Sequence, residues 1–116
     1  MSEVIRLDQN SRRSRAVIHG NTVYLGGQVA TDFDADITVQ TQQALAQVDR
    51  LLDAAGTDRR KVLSVEIWLK TMDDYDAMNA VWDEWIVPNE APARCCGVVP
   101  MADPGIRFEI TVVAAI

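Results

Sequence analysis

A chain of 116 residues with 48% hydrophobic and 24% charged side chains has the size and composition of one globular domain, 1–116, which excludes a disordered chain and a second independently folding unit. Seventeen acidic against eleven basic residues leave a formal charge of −6 and a pI near 4.6, a field that repels polyanions and disfavours nucleic acid as a partner. No apolar run approaches the roughly 20 residues that cross a bilayer, and MSEVIRLDQNSRRSR carries no apolar signal segment, so the expectation is a soluble, cytoplasmic protein with no membrane partner.

Val4, Ile5 and Leu7 predict a short first strand, followed by the chain's basic cluster, Arg12, Arg13 and Arg15, whose plainest role is a solvated edge. AVIH (16–19) and TVYLGGQ (22–28) flank Gly20 and Asn21, both tolerant of positive φ, and so predict a hairpin. After the Asp-rich TDFDAD, the apolar positions Leu45, Val48, Leu51, Leu52 and Ala55 recur at spacings of three and four as far as Gly56, predicting a helix over 38–55. In KVLSVEIWLK, alternation puts Leu63, Val65, Ile67 and Leu69 on the buried face of a strand over 62–70, with Ser64, Glu66 and Trp68 on the other face.

Asp73 and Asp74 are candidate N-caps for a second helix over 74–86, whose apolar stripe is Tyr75, Met78, Trp82, Trp85 and Ile86. Tryptophans at that spacing read as core packing rather than a ligand box, whereas Asn79 beside them is a polar candidate for a site. Pro88 and Pro92 bracket a loop, and the last two strands are predicted over 94–99 and, beyond the Pro104-Gly105 turn, over 106–115. The order β-β-β-α-β-α-β-β gives an α+β domain with two helices on one face of a mixed sheet. The other face is expected to carry apolar side chains such as Trp68 and Val98, which predicts homo-oligomerisation.

Cys95 and Cys96 are neighbours whose side chains point to opposite faces of a strand, so free thiols are expected, in keeping with a reducing compartment. His19, the single histidine, sits at a strand end before Gly20 and reads as a strand-end residue. With two vicinal cysteines it makes no zinc-ligand spacing and no Ser-His-acid or Cys-His arrangement, and no metal is expected.

The stretch APARCCGVVPMADPGIRFEI, with VYLGGQVA upstream and MNAVWDEW between, resembles the Rid family, the reactive intermediate deaminases also called the YjgF family, over nearly the whole chain. The family's Pro-Ala-Arg-x-Cys segment falls on Pro92, Ala93, Arg94 and Cys96, and its basic-apolar-Glu-Ile strand on Arg107, Phe108, Glu109 and Ile110. The pair Gly27-Gln28 and Asn79 also fall on family positions. The resemblance implies a chorismate-mutase-like α+β fold assembled as a homotrimer with clefts between subunits. It also implies cofactor-independent hydrolysis of enamine and imine intermediates, such as 2-aminoacrylate, to 2-keto acids and ammonia.

In that frame Arg94 holds the substrate carboxylate, because a guanidinium offers two parallel charge-assisted hydrogen bonds where a lysine offers a point charge. Glu109 orients the attacking water and takes its proton. Cys96 contributes its backbone carbonyl rather than a nucleophilic thiolate, since no activating partner is evident. Gly26 and Gly27 let a ligand approach the backbone, or else mark a bulge. Three departures stand out: Arg13 occupies a position where well-studied members carry tyrosine, Gly26 replaces a common serine, and the loop before Arg94 is shorter. A cation at Arg13 implies more acidic or larger substrates, or a side chain turned to solvent. A trimer that binds small carboxylates without turnover is the alternative, while RNA cleavage, attached to some members, sits poorly with the −6 charge.

Overall fold

Gly20 adopts φ 61 between His19 and Thr22, which pair across a two-residue turn and so set the register of a tight hairpin. Of the two turn residues only this glycine takes positive φ, the pattern of a turn that needs left-handed backbone at its first central position. The computed structural model describes residues 3–116. Its elements in chain order are β1 (Val4–Gln9), β2 (Ser14–His19), β3 (Thr22–Val29), α1 (Ile37–Ala54), β4 (Val62–Leu69), α2 (Tyr75–Trp85), β5 (Ala93–Val98) and β6 (Phe108–Ala115), with single 3-10 turns at Arg59–Lys61 and Met72–Asp74. They form the expected α+β arrangement.

The six strands make one mixed sheet in the order β1-β2-β3-β6-β4-β5. Every pairing is antiparallel except β4–β5, whose connection runs through α2. β6 is central, and its strict alternation buries Phe108, Ile110, Val112 and Ala114 beneath the helices while the intervening side chains turn to the open face. Leu45, Val48, Leu51 and Leu52 of α1 and Met78, Trp82 and Trp85 of α2 supply the other side of this core. At roughly 1.5–3 kcal/mol for each large apolar side chain buried, this layer is what fixes the sheet's two faces. α1 starts where the Asp36 carboxylate accepts from the Val39 N–H at 2.9 Å, and ends before Gly56 at φ 83.

Buried Gln40 ties the start of α1 to the entry of β6. Its Nε2 donates to the carbonyls of Ala35 and Gly105 at 3.1 and 3.0 Å, and its Oε1 accepts from the Arg107 N–H at 2.9 Å. The Ile106 N–H turns back to Asp103, so the final strand begins at Phe108 rather than at 106. Among the described residues no helix is long and apolar enough to cross a membrane.

Three expectations are corrected. Leu63 is 51% exposed rather than buried, because a register shift between Val62 and Ser64 puts an extra residue into β4 and leaves Val62 and Val65 facing the core. Val98 does not share the open face with Trp68; it pairs in register with core-facing Leu69 and is half exposed because β5 is an edge strand. Neither Asp73 nor Asp74 caps α2: Asp74 takes helical backbone angles without a capping bond, and its buried carboxylate instead meets the Arg107 guanidinium at 2.6 and 3.1 Å.

Candidate functional site

Arg94 lies on edge strand β5, and its pairing with Val65, a core-facing residue of β4, turns its side chain to the helix side of the sheet. There α2 receives it. The guanidinium donates from Nη1 to Asn79 Oδ1 at 2.8 Å, places Nη2 3.5 Å from the Tyr75 hydroxyl, and stands 5.3 Å over the Trp82 ring. Residues 75, 79 and 82 fall on one face of α2, so a single helix supplies an orienting acceptor and an aromatic floor. Most of the arginine's five donors stay free for a planar carboxylate. Asn79, the polar candidate singled out from sequence, is the acceptor that orients Arg94. The sequence marks Tyr75 and Trp82 only as apolar stripe, and their helical spacing from Asn79 is the signal that points to the site.

Cys96 pairs with core-facing Ile67 and shares this side of the sheet, while Cys95 is exposed. Both thiols are free. Burial pushes the Cys96 thiol above its ordinary pKa, only partly opposed by the nearby Arg94 charge. A group held protonated at neutral pH is not an activated nucleophile.

Glu109 sits on the opposite face. It alternates with fully buried Phe108 and Ile110, and pairs in register with Trp68 and with Val29. Among the described residues its carboxylate has no hydrogen-bond or ion-pair partner. A register shift between Leu25 and Gln28 bulges β3 at Gly26-Gly27, and Gln28, itself buried, braces the bulge by donating to the Gly26 carbonyl at 3.0 Å. The Glu109 carboxylate lies over Gly27, where any Cβ would collide with it. The glycine pair marks a bulge, and at Gly27 the missing side chain makes room for the Glu109 carboxylate.

A recess of about 160 Å³ opens beside this bulge, lined by Arg13, Ser14, Arg15, Gly26, Gly27 and Gln28. The seven candidate residues therefore sort into two groups. Arg94, Asn79 and Cys96 gather on the helix side at the β5 edge; Glu109, Gly26, Gly27 and Arg13 gather on the open side around β3 and β6. One chain does not bring Arg94 and Glu109 together, because the sheet stands between them.

The geometry defines an α+β protein with an arginine held by Asn79 over Trp82 on one sheet face and, among the described residues, an unpaired glutamate on the other. The family model described as Endoribonuclease L-PSP matches residues 6–116, and the chain belongs to this family, also known as the YjgF or Rid family. It is 39% identical over 113 residues to the RutC family protein YoaB of Escherichia coli, covering 97% of this chain and 98% of that one. A crystal structure from Pseudomonas aeruginosa superposes with a TM-score of 0.95 at 47% identity, covering 97% of this chain and 98% of the other. A YjgF-family structure from Neisseria meningitidis gives 0.94 at 35% identity over 97% and 94% of the two chains.

Proposed function

We propose that the protein hydrolyses enamine and imine intermediates of the 2-aminoacrylate type to 2-keto acids and ammonia, as a homotrimer whose active clefts lie between subunits. The observation that carries this reading is the split of the site: an oriented arginine and a free carboxylate on opposite faces of one sheet. Such groups meet on one substrate only when a second copy brings its helix-side edge against the first copy's open face. That open face is suited to burial, with Tyr24, 48% exposed, flanked in register by Val17 and Val113, and with Trp68 farther along the sheet.

In the cleft, Arg94 binds the imino acid carboxylate through two charge-assisted hydrogen bonds while Asn79 and Trp82 hold its plane. An enamine first tautomerises to the imine by protonation at carbon. Glu109 accepts a proton from water as the water oxygen bonds to the C=N carbon, giving a carbinolamine. That proton passes to nitrogen to complete the carbinolamine, and the same carboxylate then moves the hydroxyl proton to nitrogen, so the C–N bond breaks with release of ammonia and the C=O forms on the oxygen from water. Each step is proton transfer and positioning.

The test supplies imines from an L-amino acid oxidase and traps survivors with semicarbazide. Wild-type protein is expected to lower the trapped imine, and Arg94→Ala or Glu109→Gln to abolish the effect. Mixing those two inactive variants after dissociation and reassembly should restore about a quarter of wild-type activity, because one cleft in four then draws Arg94 and Glu109 from intact donors. No recovery in reassembled mixtures would overturn the intersubunit cleft. Retained carboxylate binding with no turnover by wild type would favour a sensor.

A further inference from the structure

The recess beside Glu109 holds two guanidiniums, Arg13 and Arg15, that imine hydrolysis itself does not use. Ala16 of β2 is fully buried beneath the helices, so Arg15, and Arg13 two residues earlier, fall on the open face with Glu109. Asp8 holds both arginines. Its carboxylate lies 3.0 Å from Arg15 Nε and 3.9 Å from Arg13 Nη1, and its carbonyl accepts from Arg13 Nη1 at 2.7 Å. To do so Asp8 adopts φ 50, a left-handed conformation uncommon outside glycine and maintained by its surroundings.

Asp8 is shared by two guanidiniums, and Arg13, bound chiefly to a carbonyl, keeps most of its donors. This happens in a chain of charge −6. Gly26 and Gly27 line the recess without side chains, and the Glu109 carboxylate lies over Gly27 at its border.

We propose that Arg13, with Arg15 behind it, forms a subsite for an anionic side chain, making imines of dicarboxylic amino acids the preferred substrate class. The inference rests on the imine-hydrolase reading above. With the first carboxylate on Arg94 and the reacting carbon at Glu109, the substituent on that carbon extends over Gly27 toward Arg13. A second carboxylate there meets a guanidinium, while a neutral side chain leaves that charge unanswered.

The experiment compares kcat/KM for imines generated from glutamate and from glutamine, which are nearly isosteric and differ in side-chain charge. Wild type should favour the glutamate imine by about tenfold. Arg13→Gln should bring the ratio near one, and Arg13→Glu should shift preference toward the imine of ornithine. Arg12→Gln, a neighbouring exposed arginine outside the recess, should keep the wild-type ratio. Because each ratio is taken within one protein preparation, partial loss of fold cancels. Equal wild-type rates on the glutamate and glutamine imines, or a ratio unmoved by Arg13→Gln, overturns the subsite. Failure to hydrolyse any imine, the neutral leucine imine included, overturns the hydrolase reading instead.

Discussion

Alanine at position 27 asks whether Glu109 works from where it stands. A Cβ on Gly27 would overlap Glu109 Oε2 and lie 3.0 Å from Cδ and 3.3 Å from Cγ, so the carboxylate must swing away. The backbone tolerates the change, since positive φ among glycines occurs only at Gly20 and Gly56. Alanine in a strand is favoured over glycine by roughly 0.5–1 kcal/mol, which offsets the roughly 0.5–1.5 kcal/mol of moving Glu109 off its rotamer. Stability therefore shifts by less than about 1 kcal/mol, a few degrees in Tm. Turnover loses a positioned base, a term of about 10²–10⁴ in rate. Gly26 is the internal control: a Cβ there meets only the Ser14 and Arg15 carbonyls at 3.5 and 3.8 Å, ordinary contact. Imine-trapping kinetics with parallel thermal melts should show kcat falling at least about 100-fold in Gly27→Ala and less than about tenfold in Gly26→Ala, with both variants folded. A Gly27→Ala protein within about threefold of wild-type kcat would refute the role given to the Glu109 carboxylate at this position.

Arg94→Lys keeps the charge but loses the fork and the flat contact with Trp82, so KM for imino acids should rise by about 10–100-fold; an unchanged KM would place carboxylate binding elsewhere. Cys96→Ala should retain turnover to within a fewfold, because burial keeps the thiol protonated, and thiol reagents should modify exposed Cys95 first; loss of activity with the fold intact would restore the thiol to the mechanism. Asp58 accepts from the Arg60 side chain and N–H, which hold its carboxyl down to about 2 from 3.8. A depressed folded value contributes stability that is present above the unfolded value and lost as pH falls through the folded one. Asp58→Asn should accordingly flatten the decline of Tm between about pH 4 and pH 2; an acid limb of unchanged slope would contradict this.

The sequence's periodicities carried most of the fold, and the places where they misled share a cause. β6 was legible because a central strand buried on one side must alternate, and Phe108, Ile110, Val112 and Ala114 do. Leu63 and Val98 were misplaced because alternation along one strand says nothing about a bulge or about the register of a parallel neighbour, and a single-residue slip moves a side chain to the other face. Asp74 failed as a cap because a buried ion pair with Arg107, 33 residues away, outcompeted a local hydrogen bond.

The same blindness to register shaped the site. The motif named Arg94, Asn79, Cys96, Gly27 and Glu109, but the side of the sheet on which each falls depends on β4 pairing with β5 in parallel and with β6 in antiparallel. Once those registers are known, Arg94 and Glu109 are separated by the thickness of the sheet itself. No rotamer change joins groups on opposite faces of a hydrogen-bonded sheet whose core residues, Ile67 and Ile110, are fully buried beneath the helices. The proposed cleft, divided in this way, has no partly working monomer. For the proposed hydrolase, assembly and turnover are one equilibrium, and the apolar open face around Tyr24 and Trp68 is part of its catalytic apparatus.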